Sequence, residues 1–298
     1  WIFKQLYKDG YAKYVDMPVN WCEELGTVLS NDEVIDGKSE RGGYPVVRKN
    51  MKQLCIDQAA FAERLLEGLN EIDWPESTKE MQRNWIGRST GVEVQFEIVG
   101  GGKFSIFTTC IETIYGITFM VLAPDGDLVQ ELMPRIKNQD EVKAYIQETV
   151  SKSEMDRTEL NKGKTGCRLE GIKAINPVNG KEVEVFIGDF VLANYGTGAV
   201  MAVPSHDQRD FEYAIAHNID RIQVIEGQDV SEHAFEKQDY LGKGCKLINS
   251  EEFTGLTVEE AKVAITKKLV DMGIAKETVN YRFREWIFAR QRYWGEPV

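Results

Sequence analysis

The sequence predicts a mixed α/β fold in which helices surround a central β-sheet. Residues 92–98 alternate apolar and polar side chains, the period-two pattern of a half-buried strand. Three glycines at 100–102 are expected to form a hairpin turn into a second strand, 103–109, because no Gly-Lys-Ser/Thr follows to favour a phosphate loop. Helical patterns at 139–151 and 258–272 then place helices among the strands.

The remaining elements are predicted from turn residues and hydrophobic periodicity. In the N-terminal region we expect a helix at 1–10, a turn-rich piece at 31–43, and helices at 56–69 and 78–85. Further along the chain we expect strands at 116–122, 169–175, 183–187 and 221–225, a helix at 128–133, and a segment at 229–249 that is mostly turns around an exposed loop.

Composition limits the class of protein. The chain has 298 residues, 42% of them hydrophobic, which is enough for a sizeable core, and a net charge of −12, which argues against broad non-specific nucleic-acid binding. No apolar run approaches the roughly 18 residues of a membrane span. The five cysteines are scattered and form no Cys-x-x-Cys pair, so we expect a cytoplasmic protein without a disulfide framework or a membrane association.

The turn-rich piece at 31–43 has the form of a small knuckle that lacks metal ligands. Cys22 is its only nearby thiol, and Ser39, Gly42 and Gly43 stand where zinc ligands would be needed. We therefore expect no structural zinc there. A metal site at His206-Asp207 is also disfavoured, because no second His or Cys lies at ligand spacing.

One stretch in the second half combines an uncharged strand with a polar helix start. Residues 199–203 are expected to form a short buried strand that Pro204 ends, and Ser205 with Gln208 matches a capping box. On the following helix, Phe211, Ala214 and Ile215 share one face and are expected to face the core.

This stretch presents two carboxylates at the helix start. Asp207 leans toward the core, Asp210 lies at the edge of the apolar stripe, and Arg209 points away. Two carboxylates in this position can hold a cationic ligand group. Asp207 could equally be only an acidic first-turn residue that complements the helix dipole.

Three threonines, Thr108, Thr109 and Thr113, lie where the strand 103–109 ends. Threonine is an ordinary strand residue, and the alternative is that these hydroxyls line a pocket. Cys110 has no evident basic partner and no Gly-x-Ser-x-Gly elbow is present, so a hydrolytic site here would activate water. The arginines and aromatic residues of 281–295 suit either nucleic-acid contacts or a packed interface.

Three segments carry a family resemblance. Residues 81–89, 196–211 and 284–297 resemble bacterial leucyl-tRNA synthetase, in the family's order. The related isoleucyl and valyl enzymes share the Gly-Thr-Gly stretch, but they usually have Cys-Ile-Ser where this chain has Ile287-Phe288-Ala289.

The resemblance implies a division of the chain. Residues 1–86 would be part of a Rossmann-type synthetic domain with a zinc-less knuckle, 87–280 the inserted editing domain with a mixed-sheet, barrel-like core, and 281–298 the return into the synthetic domain. The adenylate-forming motifs His-Ile-Gly-His and Lys-Met-Ser-Lys-Ser are absent. ATP and Mg²⁺ are thus expected only for an intact synthetase, and editing is expected to need no cofactor.

The resemblance also implies a substrate and a site. The reaction would be hydrolysis of the ester at the 3′ acceptor end of tRNA(Leu) mischarged with norvaline or isoleucine, by a monomer. The implied catalytic residues are Thr108, Thr109 and Asp210, and the implied substrate-binding residues are Thr113, Tyr195, Met201, Val203, Asp207 and Arg209. Thr113 would exclude leucine, and Asp210 would bind the α-ammonium group.

The chain departs from the family between Thr109 and Thr113. The family usually has Thr-Thr-Arg-Pro-Asp-Thr, whereas Cys110-Ile111-Glu112 occupies the middle positions here. The change removes a cation and a rigid turn residue. Two alternatives therefore stand beside editing of tRNA(Leu): an insert that only positions the acceptor end, and an editing domain of the isoleucyl or valyl type.

Overall fold

The computed structural model describes residues 1–35, 37–151, 157, 165–193, 197–283 and 285–287. The chain divides into two compact units, Trp1–Ser89 with Val279–Val298, and Thr90–Thr278. The sequence-based assignment of 1–86 and 281–298 to a synthetic domain and of 87–280 to an editing domain stays a prediction.

The first unit contains an antiparallel sheet that the sequence patterns did not predict. After α1 (Ile2–Lys8), the strands are β1 (Ala12–Cys22), β2 (Thr27–Leu29), β3 (Val34–Ile35), β4 (Lys38–Ser39) and β5 (Val47–Ile56). β5 lies between β1 and the short strand Trp286–Ile287, and β1 also pairs with β2. In β5 only the last four residues are buried, so the apolar-polar alternation that identifies a strand is missing from most of it.

Two helices follow in this unit, α2 (Ala62–Gly68) and α3 (Glu76–Ile86). The helix expected at 56–69 starts late because the chain is still in β5 at Ile56. The helix expected at 78–85 is confirmed within about a turn. Gly87 ends it with φ of 61°, in the left-handed region that glycine adopts without a Cβ penalty.

The second unit is built on a mixed sheet. Its strands are β6 (Arg88–Ile98), β7 (Lys103–Thr108), β8 (Phe119–Leu122), β9 (Gly166–Ile175), β10 (Glu182–Gly188), β11 (Ala199–Ala202) and β12 (Ala275–Tyr281). The order is β11-β8-β10-β9-β6-β12, with β7 paired to β6. The predicted mixed α/β class is confirmed, and the hydrogen bonds between the described strands form a sheet that does not close into a barrel.

The helices described in this unit include α4 (Asp127–Leu132), α5 (Gln139–Ser151), α6 (Gln208–Ala216), α7 (Lys237–Tyr240) and α8 (Val258–Asp271). The strand expected at 221–225 is wrong, since only Ile225 makes a bridge there, to Leu247. The segment 229–249, expected to be mostly turns around an exposed loop, has that character over most of its length. It contains α7, and the rings of Phe235 and Tyr240 are buried in the core.

The main core lies in this second unit. On α8, Ala261, Ile265 and Leu269 recur every four residues and are completely buried, which gives the helix one apolar face. Burying a side chain the size of Ile265 or Leu269 contributes about 1.5–3 kcal/mol, so the face fixes α8 against its neighbours. One of these neighbours is the 3₁₀ turn Ile111–Gly116 after β7. In the described part of the chain, no helix has the length and apolar character needed to cross a membrane.

Candidate functional site

Two strands of the second unit end at the same edge. From β7 the sheet continues through β6, β9, β10 and β8 to β11. Each neighbouring pair in this series is antiparallel except β10 and β8, which are parallel. β7 and β11 therefore run in the same direction, and they are also in contact. Their carboxyl ends, Thr108 and Ala202, consequently face one edge, which brings the threonine segment toward the helix start that carries Asp210.

The backbone after β7 is held by threonine hydroxyl groups. The Thr108 hydroxyl oxygen accepts a hydrogen bond from the Cys110 amide at 3.0 Å. The Thr113 hydroxyl donates to the Cys110 carbonyl at 2.8 Å, and the Thr113 amide donates to the same oxygen at 3.1 Å. A hydroxyl has one hydrogen, so the Thr113 hydrogen is committed, whereas Thr108 uses only a lone pair in its bond.

Thr113 is only 2% exposed. Because its hydroxyl is tied to the backbone, the direction of its methyl group is fixed as well. A β-branched side chain held in this way presents a fixed apolar surface.

The end of β11 packs against this turn. A Cβ added to Gly116 would lie 3.0 Å from a methyl of Val203 and 3.0 Å from the Ile222 carbonyl oxygen, so any larger residue would push these neighbours away. Val203 is buried, and Met201 is half-buried in β11 opposite Met120 of β8. The structure thus places Val203, which was predicted to line the site, against the turn that contains Thr113.

The start of α6 is capped by Asp207. Its carboxylate accepts from the amides of Arg209 at 2.9 Å and Asp210 at 3.1 Å. The capping box predicted for Ser205 and Gln208 is therefore wrong. Ser205 is buried, and its hydroxyl has no hydrogen-bond partner among the described residues. Asp207 caps the helix in place of Ser205 because a carboxylate is a stronger hydrogen-bond acceptor than a hydroxyl. Asp207 also lies two residues after Ser205, where its side chain reaches the second and third amides of the helix.

Asp210 is the buried carboxylate of this helix start. It is 8% exposed, and its Oδ2 accepts from the Val203 amide at 2.9 Å. This bond fixes the carboxylate at the end of β11. Charged groups are seldom buried to this extent without a partner that offsets the desolvation cost, and the backbone amide provides part of that compensation.

The face of α6 differs in part from the prediction. Phe211 and Ala214 are buried as expected, but Ile215 is 58% exposed and its predicted core position is wrong. Tyr213 is buried in the core instead of Ile215, and its ring stacks on that of Phe119 with a centroid distance of 5.2 Å. Periodicity alone could not distinguish these two neighbouring positions.

Asp207 and Arg209 lie at the surface. Their side chains are 34% and 59% exposed, and the guanidinium lies 3.4 Å from the carboxylate. An exposed ion pair of this kind contributes little to stability, about 0–1 kcal/mol. Tyr195, which was also predicted to line the site, lies outside the described residues.

Four residues near the threonines were missed as site residues by the sequence analysis. Lys262 of α8 donates to the Thr109 carbonyl at 2.8 Å, and Lys237 of α7 donates to the Thr109 hydroxyl at 3.5 Å. Tyr240 donates to Glu112 at 3.2 Å. These contacts join positions 128 to 153 residues apart in the chain, so no local pattern could reveal them.

Glu112 is fully buried close to these lysines, and one of its carboxyl oxygens has no hydrogen-bond partner among the described residues. Burial raises the pKa of the Glu112 carboxyl, and the nearby Lys262 and Lys237 partly oppose that shift. The loop that departs from the family pattern therefore contributes a buried acid to the site.

His206 has a structural role. Its Nε2 accepts from the Val224 amide at 3.0 Å, so its Nδ1 carries the hydrogen and donates to the Phe235 carbonyl at 3.0 Å. Burial lowers the pKa of His206 to about 4. Both ring nitrogens are thereby committed. Within the described ranges, no cluster of three His, Cys, Asp or Glu side chains could hold a metal ion.

Comparison with known proteins agrees with this architecture. The family model described as the editing domain of leucyl-tRNA synthetase matches residues 83–270. Among solved structures, the chain is similar to agnB2 LeuRS of Agrobacterium radiobacter K84, crystallised in a ternary complex with tRNA and LeuAMS. The TM-score is 0.75 and the identity 30%, over 99% of this chain and 33% of that one. This chain thus spans about a third of the length of that enzyme, and it belongs to the leucyl-tRNA synthetase editing-domain family.

Proposed function

We propose that this chain hydrolyses the ester bond of tRNA(Leu) mischarged with norvaline or isoleucine. The main support is Asp210, a buried carboxylate that the Val203 amide fixes at the edge where the threonine segment also ends. An aminoacyl ester carries an α-ammonium group next to its reactive carbonyl. A fixed carboxylate beside oriented hydroxyl groups suits both parts of that substrate.

Asp210 would anchor the substrate. A hydrogen bond to a charged group contributes about 1.5–3 kcal/mol, and more when the charge is shielded from water. Val203, which holds Asp210 by its amide, also packs against the turn that contains Thr113. A substrate bound to Asp210 would therefore have its side chain directed toward this turn.

The threonines would divide the remaining tasks. The Thr108 hydroxyl accepts a hydrogen bond, which leaves its hydrogen able to orient water or the ester carbonyl. The Thr109 hydroxyl accepts from Lys237 and lies 3.6 Å from the Cys110 sulfur, and when the thiol is the donor in that contact the Thr109 hydrogen can take the same role. Fixed dipoles that are aimed at developing charge stabilise a transition state without a general base. His206 is not suited to be such a base, because both its nitrogens are already bonded. We expect no cofactor.

Thr113 would provide the specificity. Amino acids that differ by one methyl group or by its position are separated by only about 1–3 kcal/mol in one binding site, a limit for which aminoacyl-tRNA synthetases are the standard example. A second site that excludes the correct amino acid overcomes this limit. The Thr113 methyl group, fixed by the hydroxyl bond to Cys110, would clash with the branched leucyl side chain and admit norvaline.

The test is a panel of mischarged tRNAs incubated with the whole chain. We expect norvalyl-tRNA(Leu) and isoleucyl-tRNA(Leu) to lose their amino acid faster than leucyl-tRNA(Leu). Binding of the acceptor end without deacylation would favour the positioning insert instead. Preferential hydrolysis of mischarged isoleucine or valine tRNAs would favour the isoleucyl or valyl type. We also propose that the chain acts as a monomer, which sedimentation of the same sample would check.

A further inference from the structure

Two lysine side chains from separate helices meet at Thr109. Lys262 donates to its carbonyl oxygen at 2.8 Å, and Lys237 donates to its hydroxyl oxygen at 3.5 Å. Both lysines are half-buried. Among the described residues, neither ammonium group forms an ion pair with a carboxylate. Two cations are therefore concentrated at one end of β7, in a chain whose net charge is −12.

The buried acid beside the two lysines, Glu112, does not neutralise this charge fully. Glu112 interacts with both lysines, but it is completely buried, and burial favours its uncharged form. Each ammonium group has three donors and uses one of them on Thr109, so four donors remain between the two lysines. An excess of positive charge with unused donors is the chemistry that binds a phosphate group.

We propose that Lys237 and Lys262 form a subsite for the phosphodiester that precedes the terminal nucleoside of the substrate RNA. This inference rests on the proposed function, because it places the ester bond beside Thr108 and Thr109. In an aminoacylated RNA end, that phosphodiester is the anion nearest to the ester-bearing ribose. The loop Cys110-Ile111-Glu112 offers no basic side chain, and Lys237 of α7 and Lys262 of α8 supply the cations that contact Thr109.

The experiment measures binding and does not need turnover. The probes are 3′-norvalylamino-3′-deoxyadenosine, whose amide resists hydrolysis, and the same compound carrying a 5′-phosphate methyl ester. We expect the whole wild-type chain to bind the phosphate form about tenfold more tightly, with a preference that declines as salt rises. The Lys237→Met/Lys262→Met double variant should lose that preference and keep its affinity for the plain nucleoside.

Matched variants separate charge from structure. Lys267→Met removes an exposed lysine from α8 and should leave the preference intact. Lys237→Arg/Lys262→Arg should restore most of the preference. If the loss of the Lys262 bond unfolds the double variant, Lys237→Met alone still tests the site. At 3.5 Å the bond from Lys237 to Thr109 is longer than the 2.8 Å bond from Lys262, so its loss should affect folding less. Thermal melting of each variant identifies this case.

Three results would overturn the subsite: equal affinities of the wild type for the two probes, no binding of either probe, or an unchanged preference in the double methionine variant. Deacylation of norvalyl-tRNA(Leu) is measured on the same samples. A chain that hydrolyses this tRNA but ignores the phosphate contradicts the subsite alone. A chain that prefers the phosphate but never hydrolyses the ester contradicts the proposed function alone.

Discussion

Replacement of Asp210 by asparagine removes the negative charge and leaves the rest of the helix start in place. The Asp210 carboxylate accepts from the Val203 amide at 2.9 Å, and an asparagine carbonyl oxygen can accept the same bond. The backbone amide of residue 210 still donates to Asp207. Asp210→Asn therefore tests the charge, whereas Asp210→Ala would also leave the buried Val203 amide without its partner.

The expected magnitudes differ between the two variants. Loss of a charge-assisted hydrogen bond to the substrate ammonium costs about 1.5–3 kcal/mol, which corresponds to a fall in kcat/KM of about 10- to 150-fold. The asparagine variant should melt close to the wild type. The alanine variant should be less stable by about 1–3 kcal/mol, because a buried donor is left unsatisfied, and its Tm should fall by about 2–10 °C.

The assay is deacylation of norvalyl-tRNA(Leu) at several enzyme concentrations, with thermal melting of each variant. Glu212 lies on the same helix and is exposed, so Glu212→Gln is a matched control for the loss of one carboxylate. We expect this control to retain activity. Full activity of Asp210→Asn would refute the assignment of Asp210 as the anchor of the substrate ammonium.

Three further predictions follow from single contacts. Thr113→Ser keeps the hydroxyl and loses the methyl, so this variant should hydrolyse leucyl-tRNA(Leu) at least about tenfold faster than the wild type does. The isosteric Thr113→Val keeps the bulk of the side chain and should still reject leucine. Equal rates of leucine release by the two variants would contradict a steric gate. The ring protons of His206, followed by NMR, should titrate near pH 4. Between pH 4 and 6.5 this histidine binds a proton in the unfolded chain but not in the folded chain. The free energy of unfolding should therefore fall by about 3 kcal/mol as pH drops through that window. A normal titration near pH 6.5 would exclude its buried neutral state. Tyr240→Phe, which removes the donor to Glu112, should lower the free energy of unfolding by about 1–3 kcal/mol, whereas Tyr7→Phe at an exposed site should change it by under about 0.5 kcal/mol.

The sequence predicted elements well where one local signal dominated. The helix α8 begins after Thr257, as expected, because that residue and Glu260 form a reciprocal capping box. Residues 92–98 form part of β6 because their alternation matches the pleat of a half-buried strand. By contrast, β1 and β5 stabilise each other by pairing along their length, and a pairing between distant segments leaves no local pattern.

The candidate site was predictable only in part for the same reason. The two carboxylates at the helix start were expected to hold a cationic group, and the resemblance assigned that role to Asp210, which stays a prediction; the structure shows that Asp210 is buried. The bond from its carboxylate to the Val203 amide depends on how the chain turns between β11 and α6, which residue types do not specify. Lys237 and Lys262 reach Thr109 only because α7 and α8 fold over the end of β7.

The most direct test of the central claim is the single-turnover rate at which the whole chain deacylates norvalyl-tRNA(Leu), compared with leucyl-tRNA(Leu) under the same conditions. A buried anchor at Asp210 and a fixed methyl group at Thr113 predict rapid loss of norvaline, with leucine retained. The account is contradicted if norvalyl-tRNA(Leu) decays at the rate of spontaneous hydrolysis, or if both amino acids are released equally fast.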